Sequence, residues 1–248
     1  MILHLLPERT GGAAENMACD FLLLQRYPEP GAARFRHYNW RAPAFTFGYS
    51  QKIAFVRAQL PPDGPFDLCR RASGGGLVDH REDWTYALIV PRGHALEAER
   101  ASSSYQGVHQ CLAEALRAQG APAALQEALS DPSLSGGPSP VPGADSSLPR
   151  GICFQRAETH DVVNALTGEK IAGAAQKRNK HGLLFQGSLW RPAAGRAVDW
   201  ERLGEDFAAR LAAALAAAPV PVPWPDLNED EVSGLTERYS SPEWMEQR

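Results

Sequence analysis

The sequence predicts an α+β fold, a mixed or antiparallel β-sheet packed by helices, and three observations predict it. Short runs rich in aromatic and β-favouring residues recur between tight turns, at 33–40, 44–51, 66–71, 85–91, 160–176 and 182–192. Helical spacing of apolar residues is confined to the beginning, the middle and the end of the chain. The regular strand–helix alternation of a repeated parallel unit is absent. A sheet covered by helices on one side follows as the expectation.

Each element has a local reason. In 15–27, ENMACDFLLLQRY, the residues Met17, Phe21 and Leu24 share a helical face, and PEPG at 28–31 stops the helix. The runs ARFRHYNW (33–40) and AFTFGYSQ (44–51) read as strands. After a turn at PPDG (61–64), FDLCRR (66–71) is a strand that breaks into the glycine loop SGGGLV (73–78), and TYALIVP (85–91) is the next strand. The helix over 102–119 carries Tyr105, Val108, Leu112, Ala115 and Leu116 at helical spacing, with hydroxyls at 102–104 for capping and Gly120 to end it. Strands are expected at GICF (151–154) and at 182–192, and Thr167-Gly168 is read as the hairpin turn within 160–176. An alanine-rich helix over 201–218, an extended proline segment PVPVPWP and a short helix over 229–238 complete the chain.

With 248 residues and 44% hydrophobic content, residues 1–248 are expected to fold as a single domain. The run over 130–148, nearly all Pro, Gly, Ser and Asp, reads as a disordered insertion, and 219–248 as an extended C-terminal tail. A net charge of -4 and a pI near 6.0 leave no electrostatic footprint for nucleic acid. No apolar run approaches the roughly 20 residues of a membrane span, so no membrane partner and a cytoplasmic location are expected. Four cysteines stand far apart without a CxxC pair, which argues against a zinc site and a disulfide framework.

Chemistry concentrates in three stretches. In RRASGGGLVDH (70–80), Gly74, Gly75 and Gly76 let backbone N–H groups approach an anionic or acyl ligand, with Arg70 and Arg71 beside them to hold a carboxylate or phosphate. Three glycines alone better suit a tight strand connection with surface arginines, and the run is neither a GxGxxG fingerprint nor a P-loop. His80 is read as a substrate-orienting residue or base, although a lone histidine more often serves as a structural hydrogen-bonder. In GEKIAGAAQKR (168–178), Lys170 leads a run of small residues against which a substrate chain can lie; taken alone, such a lysine is in most proteins a solvated surface charge. Cys153 follows the insertion, where an ammonium nearby would favour its thiolate and fit it to accept an acyl group; free cysteine is also among the most buried residue types. Cys111 falls on a helical apolar stripe, and Cys69 is the reserve nucleophile.

Taken together, the chain resembles the lipoate–protein ligase and octanoyltransferase family, whose catalytic domain is similar to that of biotin protein ligases. NMACD (16–20), PAFTFGYSQ (43–51), RRASGGGLVDH (70–80), WTYALIVP (84–91), EKIAGAAQKR (169–178) and QGSLW (186–190) carry the resemblance in the family's order. It implies a biotin/lipoate ligase-like catalytic domain in which Arg70, Arg71, Ser73, Gly74, Gly75, Gly76, His80, Gly173, Ala174 and Gln176 bind substrate, and Lys170 contacts the acyl carbonyl or an adenylate phosphate. Cys153-Phe154 before the lysine motif, and His80 before Thr85-Tyr86, resemble the cysteine-dependent octanoyltransferases. For these the implied reaction moves octanoyl from an acyl carrier protein through Cys153 to a lysine of a lipoyl domain or H-protein, with Cys153 and Lys170 catalytic, no metal and no cofactor. The alternatives are a lipoate–protein ligase working through lipoyl-AMP from lipoate or octanoate with ATP and Mg2+, and a non-catalytic module that holds acylated carriers.

Overall fold

The structure, a computed structural model, describes residues 1–62, 64–127 and 157–247. The strand expected at 151–154, the insertion at 130–148 and Cys153 lie outside these residues. In chain order the elements are β1 (Ile2–Leu5), β2 (Arg9–Gly11), α1 (Ala13–Gln25), β3 (Ala33–Trp40), β4 (Ala44–Phe47), α2 (Ile53–Arg57), β5 (Asp67–Arg70), β6 (Val78–Asp79) and β7 (Asp83–Pro91). There follow α3 (Ala95–Ala98), α4 (Ala101–Ala118), β8 (Ala123–Leu125), β9 (Val162–Asn164), β10 (Lys170–Asn179), β11 (Gly182–Trp190), α5 (Arg191–Ala194), α6 (Trp200–Ala214), β12 (Ala218–Pro221), α7 (Glu229–Ser240) and α8 (Pro242–Glu246).

The main sheet runs β12-β1-β3-β7-β11-β10-β9-β8, with β2 beside β3. Its β12, β1, β2 and β3 neighbours are parallel, and from β3 to β8 every neighbour is antiparallel. The expected mixed sheet is therefore present. A second sheet, β5-β4-β6, holds the segment that opens the glycine loop.

The central strand shows how the layers are built. All of Asp83–Pro91 is buried, and alternate side chains enter different cores. Trp84, Tyr86, Leu88 and Val90 pack with Leu112 and Leu116 of α4 and Phe207 and Leu211 of α6. Ala87 and Ile89 face the other way, among Met17, Leu23 and Leu24 of α1 and Tyr239 of α7. This corrects the expectation of a sheet covered on one side: a strand buried on both faces reads as a near-continuous apolar run, as TYALIVP does. Helix α1 is buried nearly all round, Asn16 and Asp20 included, because the main sheet, the small sheet and α7 all contact it.

The C-terminal segment also differs from the expected extended tail over 219–248. β12 pairs with β1, while α7 and α8 fold back onto α1 and β5. Buried aromatic area drives this: Tyr239 and Trp244 stack at 4.8 Å between ring centroids and are 2% and 8% exposed. The Thr167-Gly168 turn joins β9 to β10 as read from sequence, with Gly168 at φ +75 and Asn164 Oδ1 accepting from Leu166 and Thr167 N–H. No helix among the described residues is long and apolar enough to cross a membrane.

Candidate active site

Three pieces of chain converge on a narrow, mostly apolar slot against the small sheet. Its walls include Arg71, Gly75, Val78 and His80 from the glycine-loop segment, Gly173, Ala174 and Ala175 from β10, and Met17 and Tyr38 from beneath.

The β10 wall owes its shape to a bulge. The pairing of β10 with β9 shifts register between Lys170 and Ala172, so that Ile171 and Ala172 both enter the core under α4 and α6. Without that extra residue, Lys170 and Gly173 would point to opposite faces. With it, the lysine lies over Gly173, where an added methyl would stand 2.7 Å from Lys170 Nζ. Lys170 Nζ is 2.7 Å from Asp161 Oδ2, and the two side chains are 5% and 1% exposed. Asp161 in turn accepts from the Glu158 N–H at 2.7 Å and from the Tyr105 hydroxyl at 2.5 Å. Beyond the end of β9, the Ala174 N–H donates to that same hydroxyl at 2.9 Å, so Tyr105 closes the free edge of β10. The buried ammonium is thus neutralised and held against Gly173, one of the residues that line the slot.

On the loop wall, Arg71 works from inside. Its guanidinium donates to the Gly74 and Gly76 carbonyls at 2.9 and 2.8 Å and to Thr46 Oγ1 at 2.7 Å, which fixes the curve of the loop. Gly75 takes φ +90, and a methyl there would press against Arg71 Nη2 at 3.1 Å. Ser73 pins the loop's start to Gln186 at 2.5 Å, and Gln186 reaches on to Asp20 at 2.7 Å. Asp20 also pairs with buried Arg36, which offsets the cost of the charges beneath the slot.

His80 is tightly held. Its Nδ1 donates to Asp83 Oδ2 at 2.6 Å, and Nε2 lies 2.7 Å from Thr46 Oγ1. Asp83 accepts as well from Thr85, at 2.8 Å, and from Ser188. Trp40 covers the imidazole at 4.1 Å between centroids. The carboxylate fixes the tautomer, so a neutral ring presents Nε2 as an acceptor toward Thr46.

Among the residues read from sequence as site residues, Arg71, Gly75, His80, Gly173 and Ala174 line the slot, and Lys170 lies against Gly173. Gly74 and Gly76 shape the loop through their carbonyls, and Ser73 anchors it. Two residues stand elsewhere. Gln176 faces the start of α4, bonded to Ala101 O and Arg178. Arg70 donates to the carbonyls of Tyr49, Gln51, Trp244 and Met245, so its guanidinium ties α8 and the 48–51 loop to the end of β5. The described cysteines carry no activated thiol: burial pushes Cys69 up to about 12 and Cys111 up to about 11, and raises Cys19. This takes Cys69 out of reserve as a nucleophile.

Sequence reasoning missed Asp161, Asp83, Tyr105, Thr46 and Gln186. The only signal for the two acids was position, Asp161 immediately before the strand VVN and Asp83 immediately before WTY. Among the described residues no group of three or more His, Cys, Asp or Glu could hold a metal ion.

A family model described as the lipoyl protein ligase A/B catalytic domain matches residues 12–194, which span the slot, the glycine loop and the lysine strand. The chain belongs to this family. Among curated relatives of this lipoyl protein ligase A/B chain, the octanoyltransferase LipM of Macrococcus caseolyticus is 30% identical over 186 residues, covering 70% of this chain and 60% of that one. The Geobacillus kaustophilus LipM is 30% identical over 181 residues, with 71% and 60% covered. The chain thus spans less than two thirds of the length of these relatives, whereas the LipM of Symbiobacterium thermophilum, 26% identical over 273 residues, is matched over 93% of both. Among solved structures, a lipoate-protein ligase A bound with ATP superposes with a TM-score of 0.67 at 16% identity over 100% of this chain and 99% of that one. A bi-partite lipoate protein ligase of Thermoplasma acidophilum gives 0.66 at 16%, over 100% and 97%. At such identities the likeness speaks for the lipoate ligase fold alone.

Proposed function

We propose that this chain is an octanoyltransferase of protein lipoylation, passing an octanoyl group from an acyl carrier protein thioester through Cys153 to a lysine of a lipoyl domain or H-protein. The observation that carries this reading is Lys170, held by Asp161 over Gly173 at the wall of a narrow apolar slot. The LipM names of the relatives favour transfer over ligation, and the three described cysteines, buried and with raised thiols, leave Cys153 as the thiol for the work.

In the first half-reaction the Cys153 thiol gives up its proton and its sulfur attacks the carrier thioester carbonyl; the new C–S bond forms, the carrier's C–S bond breaks, and the departing carrier sulfur takes up that proton. In the second, the acceptor lysine's neutral amine attacks the enzyme thioester, the amide forms and the amine's surplus proton returns to the Cys153 sulfur. Lys170 stabilises the oxyanion in both, and Arg71 and the glycine loop keep the slot open for the chain. No ATP or metal enters this route.

Intact-mass analysis after mixing the protein, octanoyl acyl carrier protein and an apo lipoyl domain without ATP tests it. Octanoyl on both enzyme and acceptor, lost from both in Cys153→Ala, is the expected result. Transfer that waits for ATP, Mg2+ and free octanoate or lipoate, undiminished in Cys153→Ala, would identify a ligase. No transfer under either condition, with acylated carrier still bound, would identify a binding module.

A further inference from the structure

At the far end of the main sheet from the slot lies a second cleft of about 630 Å³, a size usual for small-ligand sites. The strand β7 connects the two: Thr85 lines the slot, while Pro91 lines the cleft. Six strand steps at about 3.4 Å each separate them by roughly 20 Å. Among the described residues the cleft's charged lining is basic, Arg34, Arg92 and Lys180 with His94 and His181; Glu97, outside the lining, accepts from the Gly93 N–H at 3.1 Å. Arg92 and Lys180 are exposed.

Arg34 is the anomaly. It is 1% exposed, a level at which the other buried arginines have acceptors within 3.0 Å: Arg36 has Asp20, and Arg70 and Arg71 have carbonyl or hydroxyl oxygens. Among the described residues Arg34 has no carboxylate within ion-pair distance, and unlike Arg70 and Arg71 it also has no close neutral acceptor. Its Nη2 reaches the Glu29 and Pro30 carbonyls only at 3.4 and 3.3 Å, its guanidinium lies 4.4 Å from the Tyr27 ring centre, and Nε and Nη1 find no acceptor among the described residues. Burial pushes its pKa down to about 10, so the cation persists at neutral pH without a counter-charge among the described residues. His4 and Tyr27 bond to each other at 2.6 Å and so supply none, and Glu29 stands toward His4 at 3.6 Å.

We infer that this cleft is an anion site, taking a small phosphate or carboxylate whose charge complements Arg34 and which Arg92 and Lys180 contact directly. The site is separate from the acyl slot, and the inference stands whichever reaction the slot performs. Leu24, Pro30 and Tyr27 give it an apolar wall, which suits an anionic group carried on an organic body.

The test is calorimetric titration of the full chain with inorganic phosphate and, separately, with acetate, at ionic strength held constant with chloride. Saturable binding of one of the two is expected, weakened roughly tenfold or more in Arg92→Ala/Lys180→Ala, which removes two charge-assisted contacts. The preferred ion should also raise the melting temperature of the wild type and not of the double variant. Phosphate binding alone points to a phosphorylated ligand, and acetate binding alone to a carboxylate. Absence of saturable binding for both ions, or affinity unchanged by the double substitution, overturns the inference. Arg34→Met adds a further reading: higher stability in ion-free buffer with loss of binding supports a desolvated charge awaiting an anion, and retained binding counts against it.

Discussion

The proposed transfer reaction turns on one ammonium whose setting depends on three other residues. Asp161 neutralises Lys170, Tyr105 holds Asp161, and the absence of a side chain at Gly173 leaves the lysine room. Lys170→Ala should lower the octanoyl transfer rate by about 100-fold or more, the usual loss for one oxyanion donor. Tyr105→Phe should keep the fold and cost about tenfold, since it frees the Ala174 N–H and one oxygen of the carboxylate that aims the lysine. Single-turnover rates for both variants check this, and a Tyr105→Phe enzyme at wild-type rate would remove that residue from the arrangement. Lys170 was legible in the sequence only through the motif around it. Its partner was not, because an aspartate nine residues upstream becomes a neighbour only once a hairpin and a bulge have folded. Arg70 was legible as important but not in its employment: adjacent arginines look alike in a sequence, and strand alternation sends one into the loop and the other to α8.

At the scale of elements, long patterned segments were legible and short ones were not. α4, α6, α7, β3, β7 and the β9–β10 turn follow the spacing of their apolar residues and their turn chemistry. β1, β2, β8 and α2 are three to five residues long, too short for any period to show. The proline run before α7 was read as extended, yet its first residues enter the sheet as β12 because an edge strand tolerates missing donors. α8 matters beyond its size: its carbonyls bind Arg70, and Trp244 Nε1 donates to the Arg70 carbonyl at 2.8 Å. Trp244→Ala should destabilise the protein by about 3 kcal/mol by emptying a buried aromatic site. It should also speed hydrogen exchange in the 73–76 loop, which follows directly from Arg70. Urea melts and amide exchange measure the two effects, and a loop whose protection is unchanged would show that the clamp ends at α8.

Over the whole molecule, two cores on opposite faces of one sheet bury several titratable groups, and these set a dependence of stability on pH. Burial pushes His109 down to about 4, with Nδ1 bonded to the His160 carbonyl and Nε2 without a partner among the described residues. Below the ordinary histidine value of 6.5 the unfolded chain takes up a proton that the native state refuses. Stability present at pH 7 is therefore lost as pH falls from about 6.5 toward 4, by about 3 kcal/mol from this group. His37, also lowered by burial, adds to the slope. Urea denaturation from pH 7 to pH 4.5 should show a shallower fall in His109→Gln than in the wild type, and parallel curves would assign the loss to other groups.

The place of β1 between β3 and β12 has a consequence for how the protein is made. Ile2 pairs with Ala218, so one edge of the first strand stays open while more than two hundred further residues are synthesised. At ribosomal speed that interval is on the order of ten to forty seconds, far longer than collapse of the chain takes. A nascent polypeptide in this window offers unpaired N–H and C=O groups to any other strand nearby. Brevity limits the hazard, since Ile2–Leu5 offers only four residues for such pairing. Refolding of the finished chain lacks this delay, because Ala218–Pro221 is present from the start.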